Sequence, residues 1–97
     1  MSLNQNPEEF YAKLKDQLSN TSLWPSEYLY KFIVKTDAAK IKEIETIFDN
    51  MGAVINTAAS KNGKYTSVSI HVKMKNPDAV IQKYKEVTQK VEDVISL

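Results

Sequence analysis

The chain has 97 residues, no cysteine, and 13 basic against 12 acidic side chains, every basic one a lysine. That length makes a single domain, and the lack of cysteine removes disulfides, thiolate metal sites and cysteine nucleophiles. Missing arginine, with its planar two-point grip on phosphate, and a near-zero net charge argue against a dedicated nucleic-acid or phosphate binder.

Two glycines and three prolines leave no room for a low-complexity tract, so the whole chain is expected to fold. No apolar run approaches the roughly 18 residues of a membrane span. The first ten residues, Met1 to Phe10, lack the basic and apolar regions of a secretory signal. A cytoplasmic protein with no membrane partner is expected.

Asn6-Pro7-Glu8-Glu9 reads as a helix start, with Asn6 as cap, Pro7 in the first turn and two acids at the positive end of the helix dipole. Phe10, Leu14 and Leu18 recur every fourth residue, and Ser19-Asn20-Thr21-Ser22 reads as the stop. Trp24-Pro25 is a connector, because the residue before proline is pushed to extended geometry. Residues 1–23 thus form a helical extension, and residues 24–97 the main domain.

Tyr28 to Lys35 is aromatic and β-branched, which predicts a strand. Tyr30, Phe32 and Val34 share one face, and Leu29, Lys31, Ile33 and Lys35 the other. Asp37 is placed to cap a second helix carrying Ile41, Ile44, Phe48 and Met51 at helical spacing, with Gly52 as its left-handed terminator. Ala53 to Ala59 is a second strand resting on Val54 and Ile55, and Ser60-Lys61-Asn62-Gly63-Lys64 a hairpin turn, since Asn-Gly readily supplies the positive φ angles such turns require. Tyr65 to Met74 alternates: Thr66, Val68, Ile70, Val72 and Met74 form an apolar face, and Tyr65, Ser67, Ser69, His71 and Lys73 a polar one, as in a half-exposed antiparallel strand. Asn76-Pro77-Asp78 starts a third helix running to about Thr88, with Val80, Ile81, Tyr84 and Val87 as its buried side, and Val91 to Leu97 is expected to be a closing strand. The order after the leading helix is β-α-β-β-α-β. It predicts an α+β, ferredoxin-like fold with two helices on one face of a four-stranded antiparallel sheet.

The hairpin and third strand, Ser60-Lys61-Asn62-Gly63-Lys64-Tyr65-Thr66-Ser67-Val68-Ser69-Ile70, resemble the S-K-G-x-Y-x-S-V-S-I segment of the YbeD-like family of small bacterial proteins of unassigned function. One residue is inserted here around the Asn-Gly turn. Trp24-Pro25 ahead of Tyr28-Leu29-Tyr30-Lys31 is similar to that family's entry to its first strand. The resemblance implies a ferredoxin-like domain similar to ACT-type regulatory modules, which bind amino acids at subunit interfaces. It implies no catalytic residue.

No catalytic residue, cofactor or metal site is expected. Ser69 and His71 on one strand face lack a visible orienting acid and oxyanion site, and a lone histidine without a carboxylate pair is no metal centre. An RNA-recognition module would need aromatic platforms on the central strands, where only Tyr65 points outward. The remaining candidate is an interaction face of Leu29, Lys31, Ile33, Tyr65, Ser67, Ser69 and His71. A second is the stripe Phe10, Leu14 and Leu18 with Trp24, which either covers that face or docks on a partner. The expected role is a non-enzymatic regulatory or protein-interaction module, homo-oligomeric or bound to a protein partner. An ACT-like small-molecule sensor stands second and RNA binding third.

Overall fold

Alternation along the strand from Tyr65 to Met74 organises the molecule. Its even-numbered side chains, Thr66 through Met74, are all buried, and its odd-numbered ones are exposed or half-buried. The structure, a computed structural model, describes residues 7–96. Its elements are α1 (Pro7–Thr21), β1 (Ser26–Lys35), α2 (Ala38–Ile47), β2 (Val54–Ala59), β3 (Tyr65–Met74), α3 (Pro77–Lys90) and β4 (Ile95–Ser96). The strands form one four-stranded sheet in the order β2-β3-β1-β4. Each neighbouring pair is antiparallel, with β1 and β3 in register from Ser26↔Met74 to Lys35↔Tyr65.

The core lies between one sheet face and the helices. Tyr30, Phe32 and Val34 of β1 and Val68, Ile70 and Val72 of β3 meet Ile44 and Ile47 of α2, the adjoining Phe48, and Val80, Tyr84 and Val87 of α3. Each of the large residues removed from water here contributes roughly 1.5–3 kcal/mol. The aromatic members pack as a group: Tyr30 lies 4.9 Å from both Phe48 and Tyr84, ring centre to ring centre. Polar ends inside this layer are satisfied. The Tyr30 hydroxyl donates to the Val80 carbonyl at 2.9 Å, and the Tyr28 and Tyr84 hydroxyls share a bond of 2.8 Å.

Local chemistry sets most boundaries as the sequence predicts. The Asp37 carboxylate accepts from the Ala39 amide at 2.8 Å, and Asn76 Oδ1 accepts from the Ala79 amide at 2.8 Å, so both capping residues do their work. Val80, Ile81, Tyr84 and Val87 are the buried side of α3.

Five details differ. Helix α1 continues through Thr21, and Ser19 and Thr21, expected to end it by bonding the backbone of a turn, instead donate their hydroxyls back to the Lys15 and Gln17 carbonyls. Strand β1 starts at Ser26, after a cis Trp24-Pro25 peptide. Helix α2 ends at Ile47 with Phe48 as its cap, well before Gly52; Asn50 and Gly52 both take positive φ in the turn that follows. The hairpin turn spans Ser60 to Lys64 as expected, closed by Ser60 and Tyr65 with Asn62 Oδ1 accepting from the Lys64 amide, but of the Asn62-Gly63 pair only Gly63 has positive φ. The last strand does not start at Val91, which is the buried cap of α3; among the described residues at this end only Ile95 and Ser96 pair, with Ile33 and Phe32. Asn6 and Leu97 lie outside the described residues.

Candidate interaction face

Register decides which side chains share the second face of the sheet. Opposed residues in an antiparallel ladder point the same way. Three rows of the face follow: Val54, His71 and Leu29; Asn56, Ser69 and Lys31; Ala58, Ser67, Ile33 and Ile95. Tyr65 and Lys35 stand opposed at the hairpin end, and Glu27 and Lys73 at the other. All seven residues expected on this face from the sequence are therefore brought together.

The face is polar by composition but carries much exposed hydrocarbon. Val54 is 60% exposed, Ile95 52%, Leu29 50% and Tyr65 37%, and these are four of the six large apolar residues exposed among the described residues. Helices α2 and α3 bury the opposite face, and among the described residues no helix covers this one. Val54 and Ile95 escaped the sequence reading. Their side is fixed only by pairing with His71 and Ile33, which periodicity within a short strand does not reveal.

The leading helix goes elsewhere. It packs along α3, with Tyr11, Leu14 and Leu18 half-buried against the core layer, Lys15 paired to Asp78 at 2.9 Å and Lys85 to Glu8 at 3.8 Å. Trp24 is also half-buried there and donates its indole N–H to the Leu18 carbonyl at 3.1 Å. Covering of the open sheet face by the Phe10, Leu14, Leu18 and Trp24 stripe is thus corrected. Phe10 stays exposed, and Tyr11 takes the inner position.

Ser69 and His71 stand two residues apart on β3, about 7 Å at strand rise, and directly across from His71 are Leu29 and Val54 rather than a carboxylate. Among the described residues no three His, Asp or Glu side chains gather to hold a metal. At one end of the face is an open hollow of about 450 Å³, lined by Glu27, Met51, Val54, Asn56, His71 and Lys73 among others.

Charge divides the molecule. The ion pairs among the described residues, Lys15–Asp78, Lys83–Glu86, Lys85–Glu8 and Lys90–Glu86, all lie on α3 or between α1 and α3. Lys31, Lys35 and Lys73 on the open face join none of them. Lys64, beside the hairpin, sits 5.9 Å from the centre of the Tyr65 ring.

These features define the chain as a small α+β domain with a helical layer on one sheet face and an open, apolar and basic surface on the other. The chain belongs to the family described as Protein of unknown function (DUF493), whose model matches residues 20–95. No curated protein and no solved structure matches it. The match takes in β1, β2, β3, the first residue of β4 and the helices α2 and α3, and leaves out nearly all of α1. Among the described residues no helix is long and apolar enough to cross a membrane.

Proposed function

We propose that the chain is a non-enzymatic regulatory or protein-interaction module that works through its open sheet face. One observation carries this reading. Among the described residues, four of the six exposed large apolar side chains gather on the sheet surface that no described helix covers. Clustered apolar area of this kind, rimmed by polar groups, marks association surfaces. The strand order supports a ferredoxin-like topology. Read from the β4 edge it is β4-β1-β3-β2, so α2 and α3 each link two parallel strands across an intervening one. The YbeD-like resemblance of the hairpin is consistent with membership of a family of unknown function. The protein is expected to act in the cytoplasm.

Lysine footprinting tests the reading. Lys31 and Lys73 on the open face, and Lys40, Lys42 and Lys90 on the helical side, are acylated in purified protein and in native lysate. Protection of the first pair but not of the second group, lost in a Leu29→Glu, Ile33→Glu double variant, is the expected result. Equal labelling of both groups in both settings would count against it. Light scattering of the same two proteins tells whether the occupant is a second copy.

A second reading rests on the hollow beside His71. Opposite charges on Glu27 and Lys73, which line it together with the apolar Met51 and Val54, suit a small zwitterion such as an amino acid, as in an ACT-like sensor. A thermal shift that rises with ligand concentration by mass action, and disappears in Lys73→Ala, is expected if it holds. No shift with any amino acid would remove it.

A further inference from the structure

The geometry points to an acidic amphipathic helix of another protein as the occupant of the open sheet face. This rests on the reading of that face as a docking surface, and goes beyond it by naming the partner's chemistry. Shape comes first. A sheet face takes a helix or a second sheet laid across it, whereas added strands bind at edges. At ordinary strand spacing and rise, the face measures about 14 Å across its strands and about 27 Å from Glu27 to Lys35. That is the footprint of one helix of about 18 residues.

Charge then selects the partner. Lys31, Lys35 and Lys73 project from this face, are exposed, and have no ion-pair partner, while Glu27 is its one acid. Lys61 and Lys64 add to the same sign at the hairpin end. The molecule's other acids lie on helices or in the loops at their ends, so the near-neutral total of the chain conceals a basic sheet surface. Two copies stacked face to face would bring six lysines and two glutamates into one interface, an excess of four positive charges. Like-charge juxtaposition of this kind disfavours a partner. A nucleic acid would satisfy the charge, but the exposed apolar groups of the face are mainly aliphatic. Leu29 and Val54 stand in one row and Ile33 and Ile95 in another, with Lys31, Ser69 and Asn56 between, and its one large ring, Tyr65, stands apart at the hairpin end. A helix with an apolar stripe flanked by Asp and Glu satisfies both demands.

The test uses the full chain, isotopically labelled, and two synthetic helical peptides of about 18 residues. Both carry the same leucine stripe, flanked by glutamate in one and lysine in the other. Backbone amide shifts report the site. The glutamate peptide is expected to move the amides of Leu29, Lys31, Ile33, Ser69 and His71, with an affinity that falls as salt is raised. A Lys31→Glu, Lys35→Glu, Lys73→Glu variant should bind it about tenfold more weakly and favour the lysine peptide instead. Equal binding of both peptides at these amides would overturn the acidic partner and leave the docking face standing. So would self-association that Leu29→Glu, Ile33→Glu abolishes. A single-stranded RNA oligomer that moves the same amides more strongly than the glutamate peptide would also overturn the inference. No response of the face to any probe, together with an unprotected lysine footprint, would remove both readings. Swapping the peptide's charge needs no protein variant, so the outcome does not depend on a mutant folding.

Discussion

Tyr30 concentrates the physics of the core in one side chain. It has no exposed surface, stacks among Tyr28, Phe32, Phe48 and Tyr84, and spends its hydroxyl on the Val80 carbonyl of α3. Burial lifts its pKa far above the ordinary tyrosine value, with the neighbouring Tyr28 adding to the effect. Tyr84 is raised for the same first reason, then by its hydrogen bond with Tyr28. The folded state therefore demands two neutral phenols. Their contribution is intact below the unfolded-state pKa of 10.0 and is lost progressively as pH rises above it, because only the unfolded chain ionises freely. Alkaline unfolding, followed by near-UV circular dichroism, should coincide with the tyrosinate absorbance that Tyr30→Phe removes. That variant should cost about 1 kcal/mol at neutral pH, for the lost hydrogen bond, and should show a shallower alkaline limb. Tyrosinate absorbance from Tyr30 in a protein whose dichroism is unchanged would contradict this account.

At the scale of elements, caps and the interhelical contact do work that side-chain burial alone does not. Asp37→Ala and Asn76→Ala should each lower stability by about 1 kcal/mol in urea titration with an unchanged m-value, since each leaves a helix amide without its acceptor. Lys83 ties α3 to α2 by donating to the Ile47 carbonyl at 2.7 Å while pairing with Glu86 at 3.1 Å. Partial desolvation raises the Glu86 carboxyl, but hydrogen bonds and charge from Lys83 and Lys90 outweigh it and hold the pKa below the ordinary carboxylate value. Its stabilisation is therefore present above the unfolded carboxylate pKa and is lost as pH falls through the folded one. Glu86→Gln should flatten the acid limb of a pH–stability curve at low salt, and an unchanged limb would exclude this pair as a source of acid sensitivity. Elements with a strong local signature were legible beforehand. Period two from Tyr65 to Met74, and a cap followed three residues on by an apolar run, each admit one reading. The end of the chain was not. Val91 and Val94 look like a strand in sequence, yet Val91 finishes α3 and Val94 packs on the core, so that among the described residues pairing begins only at Ile95. Serine and threonine misled at the end of α1, because their hydroxyls can bond back to the carbonyl four residues earlier, inside the helix, as well as to the backbone of a turn.

On the scale of the whole molecule, the sheet separates two tasks, and neighbouring ladder rungs show the division. Tyr30 pairs with Ile70, and both are fully buried; Leu29 pairs with His71, and both are exposed. The candidate face was legible in β1 and β3 because each strand shows its own alternation. Its apolar flanks at Val54 and Ile95 were not, because they depend on which strands become neighbours. A domain of this size has only about 5–15 kcal/mol of stability in total, so the two rungs should respond very differently to truncation. Ile70→Ala removes packed hydrocarbon and leaves a cavity, at a cost of about 2–5 kcal/mol, and at about 4–8 °C per kcal/mol the melting temperature should fall by some 8 °C or more. Leu29→Ala exchanges a half-wet side chain for a smaller one and should cost no more than about 0.5 kcal/mol, within the range of ordinary surface substitutions. If the open face serves a partner, however, Leu29→Ala should weaken lysine protection in lysate, whereas Ile70→Ala, assayed well below its lowered melting temperature, should preserve it. Calorimetry and footprinting on the same two variants separate stability from recognition. A large thermal loss on Leu29→Ala would mean that this face is already part of the folded core.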